Sequence, residues 1–240
     1  DTRTYESRAI PLPQNTTLVI ADSTIRRSLI NSAYNDRRKD CDTAVKYYQA
    51  IYPEVKSLRD LSPAQFQAHA HHLPDDVRRH ALHVVEEIAR VERAIQYLDS
   101  GDAEQFGKLM FETHDSLRDL FEVSCRELDI LVDLAHGFDG CLGARLTGAG
   151  FGGCTINLVR KDRVNEFIEF LKTAYQKETD LQANIFRTHP SRGASLKSSS
   201  AYRSAAASIP KVYAIDAHEL SKTFVSRHGF WRRTSKSTVA

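Results

Sequence analysis

Thr147-Gly148-Ala149-Gly150-Phe151-Gly152-Gly153 restricts the possible folds more than any other stretch of this chain. Glycines placed so closely allow backbone angles closed to other residues and let another chain segment or a ligand approach, at a real entropic cost. Gly148, Gly150 and Gly153 satisfy the spacing G-x-G-x-x-G. The dinucleotide fingerprint, however, needs a helix after the loop, and the alternating residues Cys154 to Val159 read as a strand. No G-x-x-x-x-G-K-[ST] occurs, which excludes a P-loop. Two readings remain open at this level. One is a tight hairpin between Gly143–Leu146 and Cys154–Val159, and the other is a nest of backbone N–H groups facing a phosphate.

The flanking grammar is helical first and mixed afterwards. Thr17–Ala21 is a β-branched run that reads as a buried strand. Residues 26–49 carry Leu29, Ala33, Val45 and Tyr48 among charges, as on a helix. Ser62-Pro63 suits the cap and first turn of a short helix. From Pro74 to Ser100 apolar residues recur every three or four positions, and the spacing repeats from Ala103 to about Phe121 and from Cys125 to Ala135. Val164 to Tyr175 predicts one more amphipathic helix and Asn184–Thr188 a closing strand. The order of one strand, several helices, strand, helix and strand predicts an α+β fold, an antiparallel sheet packed with helices.

Charge divides the chain. Residues 197–240 hold eight Lys or Arg against Asp216 and Glu219, a balance of +6, whereas the other 196 residues sum to −4. The sequence therefore predicts a globular domain over 1–196 and a basic, Ser/Ala-rich, poorly ordered tail over 197–240. A mildly acidic body argues against nucleic acid as a partner. No run of about 18 apolar residues is present, and Asp1–Glu6 lacks the basic and apolar parts of a leader, so neither a membrane span nor secretion is expected. Cys41, Cys125, Cys141 and Cys154 form no C-x-x-C pair, which predicts reduced, buried thiols, no metal site and a cytoplasmic setting. Met110 is the only methionine, so a chain opening at Asp1 reads as a processed product or a portion of a longer one.

Gly143 to Thr155 resembles the third signature of the GHMP kinases in its galactokinase form. Ala21–Leu29 running on to Tyr34–Arg38, Ser116–Cys125 and Arg79–Glu87 resemble the same family, in order, from about Asp1 to Leu196. The resemblance implies a GHMP kinase C-terminal domain and ATP-dependent phosphorylation of galactose at its anomeric hydroxyl, a reaction that rests on positioning and phosphate stabilisation. In that family the sugar signature, the serine-rich phosphate loop and the catalytic Asp precede the position of Asp1. The resemblance thus implies no catalytic residue in this chain and assigns most contacts to ATP and Mg2+ to an absent N-terminal domain. Asp22, Asp36, Asp115 and Asp119 read as solvated helix or loop acids.

By the same resemblance, Tyr34 is the galactose contact, the alternative being a packed helix residue. Gly148, Gly150, Gly152 and Gly153 press against the phosphate loop of the absent part and so support the ATP site. Arg26 is a possible active-site support that pairs with a phosphate or an acid, or else forms a surface salt bridge. His83 and His114 read as structural. The rival readings are a non-catalytic galactose- and ATP-binding regulator, an inactive fragment, and an N-acetylgalactosamine kinase.

Overall fold

The structure, a computed structural model, describes residues 3–4, 8–26 and 30–190. The expected tail and the boundary at residues 196/197 lie outside them.

Strand β1 (Thr16–Asp22) pairs antiparallel with two later strands, β3 (Cys154–Arg160) and β4 (Asn184–Thr188), and β2 (Cys141–Thr147) pairs with β3. The sheet order is β2-β3-β1-β4. The sequence order of elements anticipates three of these strands. The fourth, β2, is the first leg of the hairpin that the glycine stretch offered as one of two open readings, and Gly143 and Ala144 give it no β-branched signal of its own.

Alternation along the strands gives each face its own core. Val19, Ala21, Val159, Ala144 and Ile185 point to one face. There they meet Leu131, Val132 and Ala135 of helix α5 (Arg126–His136) and Phe167, Leu171 and Tyr175 of helix α6 (Val164–Thr179). Leu158 and Leu142, with Leu18 and Ile156, point the other way and meet Met110 and Phe106 of helix α4 (Ala103–Asp119).

Helix α4 lies exceptionally close to β2. A Cβ added to Gly107 would sit 2.0 Å from the Leu142 carbonyl oxygen, and one added to Gly143 would sit 2.3 Å from that of Gly107. Only a pair of glycines allows this approach, which is what places a glycine inside a helix against its propensity.

The remaining helices build a third core, away from the sheet. Helix α1 (Ile30–Gln49), short helix α2 (Pro63–His69) and long helix α3 (Asp75–Ser100) enclose Ala44, Tyr48, Val55, Leu58, Phe66, Val77, Ala81 and Val85. Tyr48 and Phe66 are fully buried, each contributing roughly 2–3 kcal/mol of transfer free energy. The Tyr48 hydroxyl donates to the Phe66 carbonyl, so its burial leaves no polar atom stranded.

The local rules at the helix ends hold. The Ser62 hydroxyl accepts from the Gln65 amide at 3.2 Å, while the Gln65 side chain accepts from the Ser62 amide at 2.9 Å, a reciprocal cap with Pro63 in the first turn. Helix α3 stops at Gly101 in the left-handed conformation, φ +73°. Arg26, where the periodicity opens its helix, is not helical, and helix α1 is described from Ile30. All four cysteines are free thiols, with Cys125 buried and the other three half-buried. No helix among the described residues is long and apolar enough to cross a membrane.

Candidate functional site

The turn between β2 and β3 runs through a series of left-handed residues: Gly148 at φ +92°, Gly150 at +80°, Phe151 at +60°, Gly152 at +127° and Gly153 at +88°. Two segments of the same chain hold it. On one side the Phe151 amide donates to the Val123 carbonyl at 2.7 Å, and a Cβ on Gly150 would stand 2.1 Å from that oxygen. On the other side the Gly153 amide donates to Ile25 O at 3.0 Å, and a Cβ on Gly152 would stand 2.6 Å from the same carbonyl. Gly148 and Gly153 meet no atom within 4 Å of where their Cβ would be. Gly150 and Gly152 therefore serve close packing within the chain, Gly153 is held through both its amide and its carbonyl, and Gly148 presents exposed backbone.

Segment 22–26 is a tight anchor for this turn. The Ser23 amide and hydroxyl both donate to the Gly153 carbonyl, at 2.9 and 2.7 Å, and the Tyr175 hydroxyl donates to Ser23 O at 3.1 Å from within the α6 core. Arg26 makes a two-pronged pair with Asp22, at 2.6 and 2.9 Å. Hydrogen bonding by the Arg26 guanidinium holds the Asp22 carboxyl below the usual carboxylate range, helped by the Thr24 amide. Asp22 is thus an ion-paired, half-buried group rather than the solvated acid the sequence suggests. The Arg26 side chain is mostly exposed, so the pair costs little to open, and Arg26 also donates to the Ile25 carbonyl at 3.0 Å.

The second anchor, Phe121 to Ser124, follows α4. Glu122 adopts φ +54°, uncommon for a side-chain-bearing residue, and is surrounded by partners. Arg79 reaches its carboxylate at 2.7 Å and His80 at 3.3 Å, and with Arg79 as the main cause the Glu122 pKa is lowered. The other ring nitrogen of His80 lies 2.7 Å from Asp40 on α1. Arg37 of α1 donates to the Phe121 carbonyl at 2.5 Å and to the Glu122 carbonyl at 3.0 Å. Tyr34, one helical turn before Arg37 and on the same side of α1, is 56% exposed.

Beneath the turn lies a buried polar pair. His114 is fully buried and its Nδ1 accepts from the Leu146 amide at 3.3 Å, which leaves the proton on Nε2, 3.2 Å from the Asp129 carboxylate. Asp129 also accepts from the Ser124 hydroxyl at 2.5 Å. His83 packs on Phe121, bonds to Ser116, and burial pulls its pKa down to about 4. Both histidines stand in the scaffold that carries the turn.

Arg26, Gly152 and Gly153 thus gather at one anchor and Gly150 at the other, while Tyr34 joins them only through Arg37 and the carbonyls it holds. Sequence reasoning did not find Arg37, Glu122, Asp129 or Ser124. Their roles depend on segments far apart in the chain, and the three-residue step from Tyr34 to Arg37 is the one trace a sequence reader could have followed. Among the described residues no group of three His, Cys, Asp or Glu is placed to hold a metal ion. A polar groove of about 410 Å³ lined by Asn15, Leu142, Arg160 and Lys161 lies at the opposite end of the sheet, where Arg160 is paired with Glu104.

Residues 94–177 match the family described as GHMP kinases C terminal. A galactokinase of Roseiflexus sp. (strain RS-1) is 46% identical over 193 residues, 80% of this chain and 49% of that protein. A galactokinase of Chloroflexus aurantiacus is 40% identical over 75% of this chain and 46% of that protein. Among solved structures, Lactococcus lactis galactokinase complexed with galactose superposes with a TM-score of 0.69 at 34% identity, over 72% of this chain and 45% of that one. The chain spans about half the length of the curated relatives it matches. The matched domain over residues 94–177, the identities and the four-stranded antiparallel fold agree in making this chain similar to the C-terminal half of galactokinases, with a GHMP kinase C-terminal domain as its matched part.

Proposed function

We propose that this chain supplies the C-terminal portion of a galactokinase, which transfers the γ-phosphoryl group of ATP to the anomeric hydroxyl of galactose. The observation that carries the reading is the turn from Gly148 to Gly153, clamped by Ser23–Ile25 and Val123, in a chain 46% identical to a galactokinase. In this reading the exposed backbone at Gly148, on a turn that Gly153 fastens to Ser23 and Ile25, shapes the phosphate end of the site against a phosphate loop from an N-terminal domain. The exposed Arg26 offers a cation near that end, and Tyr34 offers its ring and hydroxyl to the sugar. Clamping matters because phosphoryl transfer depends on position and on pre-set charge more than on covalent chemistry by the protein.

The residues present do not form a site for Mg2+, because the described acids near the turn are spent on Arg26, Arg79 and His114. We assign magnesium, the general base and most ATP contacts to the N-terminal domain, which makes that domain the required partner. In this reading the enzyme works in the cytoplasm, which the use of ATP and the four free thiols support.

The test is to fuse the unmatched part of the Roseiflexus relative to this chain and to follow galactose-dependent ADP release. Turnover is expected from the fusion and only blank rates from the chain alone. Tyr34→Phe in the fusion is expected to lower kcat/KM for galactose by about tenfold, the worth of one polar sugar contact. A folded fusion that binds galactose without turnover would favour the regulator, and preference for N-acetylgalactosamine would replace the substrate.

A further inference from the structure

Arg37 lies in the Tyr34–Arg38 stretch, but its role is visible only in the fold. Its side chain leaves α1 and ends as a fork on two successive carbonyls, Phe121 O at 2.5 Å and Glu122 O at 3.0 Å, with the Glu122 carboxylate 3.6 Å from the same nitrogen. Only 16% of the side chain is exposed. The next residue, Val123, receives the Phe151 amide and lies against Gly150. Tyr34 lies on the same face of α1 as Arg37. A continuous chain of bonded groups therefore runs from the helix bearing Tyr34, through Arg37 and the backbone of 121–123, into the glycine turn.

We propose that Arg37 is a positioning residue that holds the α1 helix in register with the Phe151 end of the glycine turn. The planar fork suits this task, since two donors in fixed geometry restrain two carbonyls at once, and a lysine would reach only one of them as a point charge. The left-handed backbone of Glu122 is what turns both carbonyls toward α1, and Arg37 offsets the cost of that conformation. The Gly153 end of the turn has a separate anchor, Ile25 O, on the β1 side. The two ends are thus held by different partners, only one of which depends on Arg37.

This deepens the galactokinase reading, and its importance for catalysis rests on that reading, but the link can be measured without substrate. Amide hydrogen exchange is followed residue by residue in the 240-residue chain, in wild type, Arg37→Ala and Arg37→Lys, with protection corrected for each variant's urea midpoint. Protection of the Phe151 amide is expected to fall on the order of tenfold in Arg37→Ala, and several-fold in Arg37→Lys, once the charge-assisted bonds are lost. Protection of the Gly153 amide is expected to stay at the wild-type value in both. Equal loss at Phe151 and Gly153 would show general loosening and overturn the proposal, as would an unchanged Phe151. Should Arg37→Ala fail to fold, Arg37→Lys, which keeps the charge and most of the packing, decides alone: wild-type protection at Phe151 in that variant overturns the proposal. None of these outcomes depends on turnover, so a failed galactokinase reading leaves the link standing and a failed link leaves that reading standing.

Discussion

Gly150 and Gly148 sit two residues apart with similar positive φ angles, yet they bear different constraints. At Gly148 a methyl group would meet nothing within 4 Å, so alanine there costs only the left-handed backbone, about 1–2 kcal/mol. At Gly150 the same methyl would stand 2.1 Å from the Val123 carbonyl oxygen, and since backbone cannot yield as a flexible side chain does, the Phe151–Val123 bond must break. Gly150→Ala is therefore expected to destabilise by about 2 kcal/mol more than Gly148→Ala in urea unfolding. Equal costs would mean that the turn shifts as a unit and is not gripped by 121–124. Sequence alone marks both glycines as special without telling them apart, because the difference lies in what packs against each.

Helix α4 shows the same logic for a whole element. Gly107 is the fifth residue of a 17-residue helix, past its first turn, where alanine would ordinarily gain roughly 1 kcal/mol of helix propensity. Here the added methyl would lie 2.0 Å from the Leu142 carbonyl, forcing α4 away from β2 and opening the contacts of Met110 with Leu142 and Leu158. The packing loss is the larger effect, and Gly107→Ala is expected to lower stability by about 2–4 kcal/mol, read as a drop in thermal midpoint. A stabilised Gly107→Ala protein would mean that α4 can move off β2 freely.

The elements themselves were largely legible in sequence, since β4 ends where its β-branched run ends and α3 stops at Ser100 before Gly101. Strand β2 carries the weakest local signal, because Gly143 is chosen for close approach rather than for strand propensity.

Over the whole molecule, buried polar groups couple stability to pH. His83 is buried and neutral, with its pKa pulled down to about 4 against an ordinary value near 6.5. Between these values the unfolded chain takes up a proton that the folded chain refuses, so stability is complete above about pH 6.5 and falls as pH drops towards 4. The full effect of this residue is about 3 kcal/mol, and His83→Gln is expected to flatten that part of the curve in urea titrations at successive pH values. The paired acids Asp22, Asp119 and Glu122, whose pKa values are lowered by Arg26, Arg118 and Arg79 first of all, lose their contribution at lower pH, as they take up protons. A slope between pH 6.5 and 4 that survives in His83→Gln would assign it to other groups.

What could be read from the residues in order was everything local: the periodic helices, the caps at Ser62 and Gly101, the glycine turn as a place of close approach, and the family to which its motifs belong. Local signals suffice there because propensity, capping and motif spacing act over a few residues. The two anchors of the turn, the Gly107–Gly143 contact, the Arg37 fork and the pairing of Asp22 with Arg26 were decided only by the folded chain. Most of these join groups far apart in sequence, and even the Asp22–Arg26 pair depends on the path that Gly153 imposes on the segment between them. Their energies come from contact geometry, which no pattern along the chain encodes.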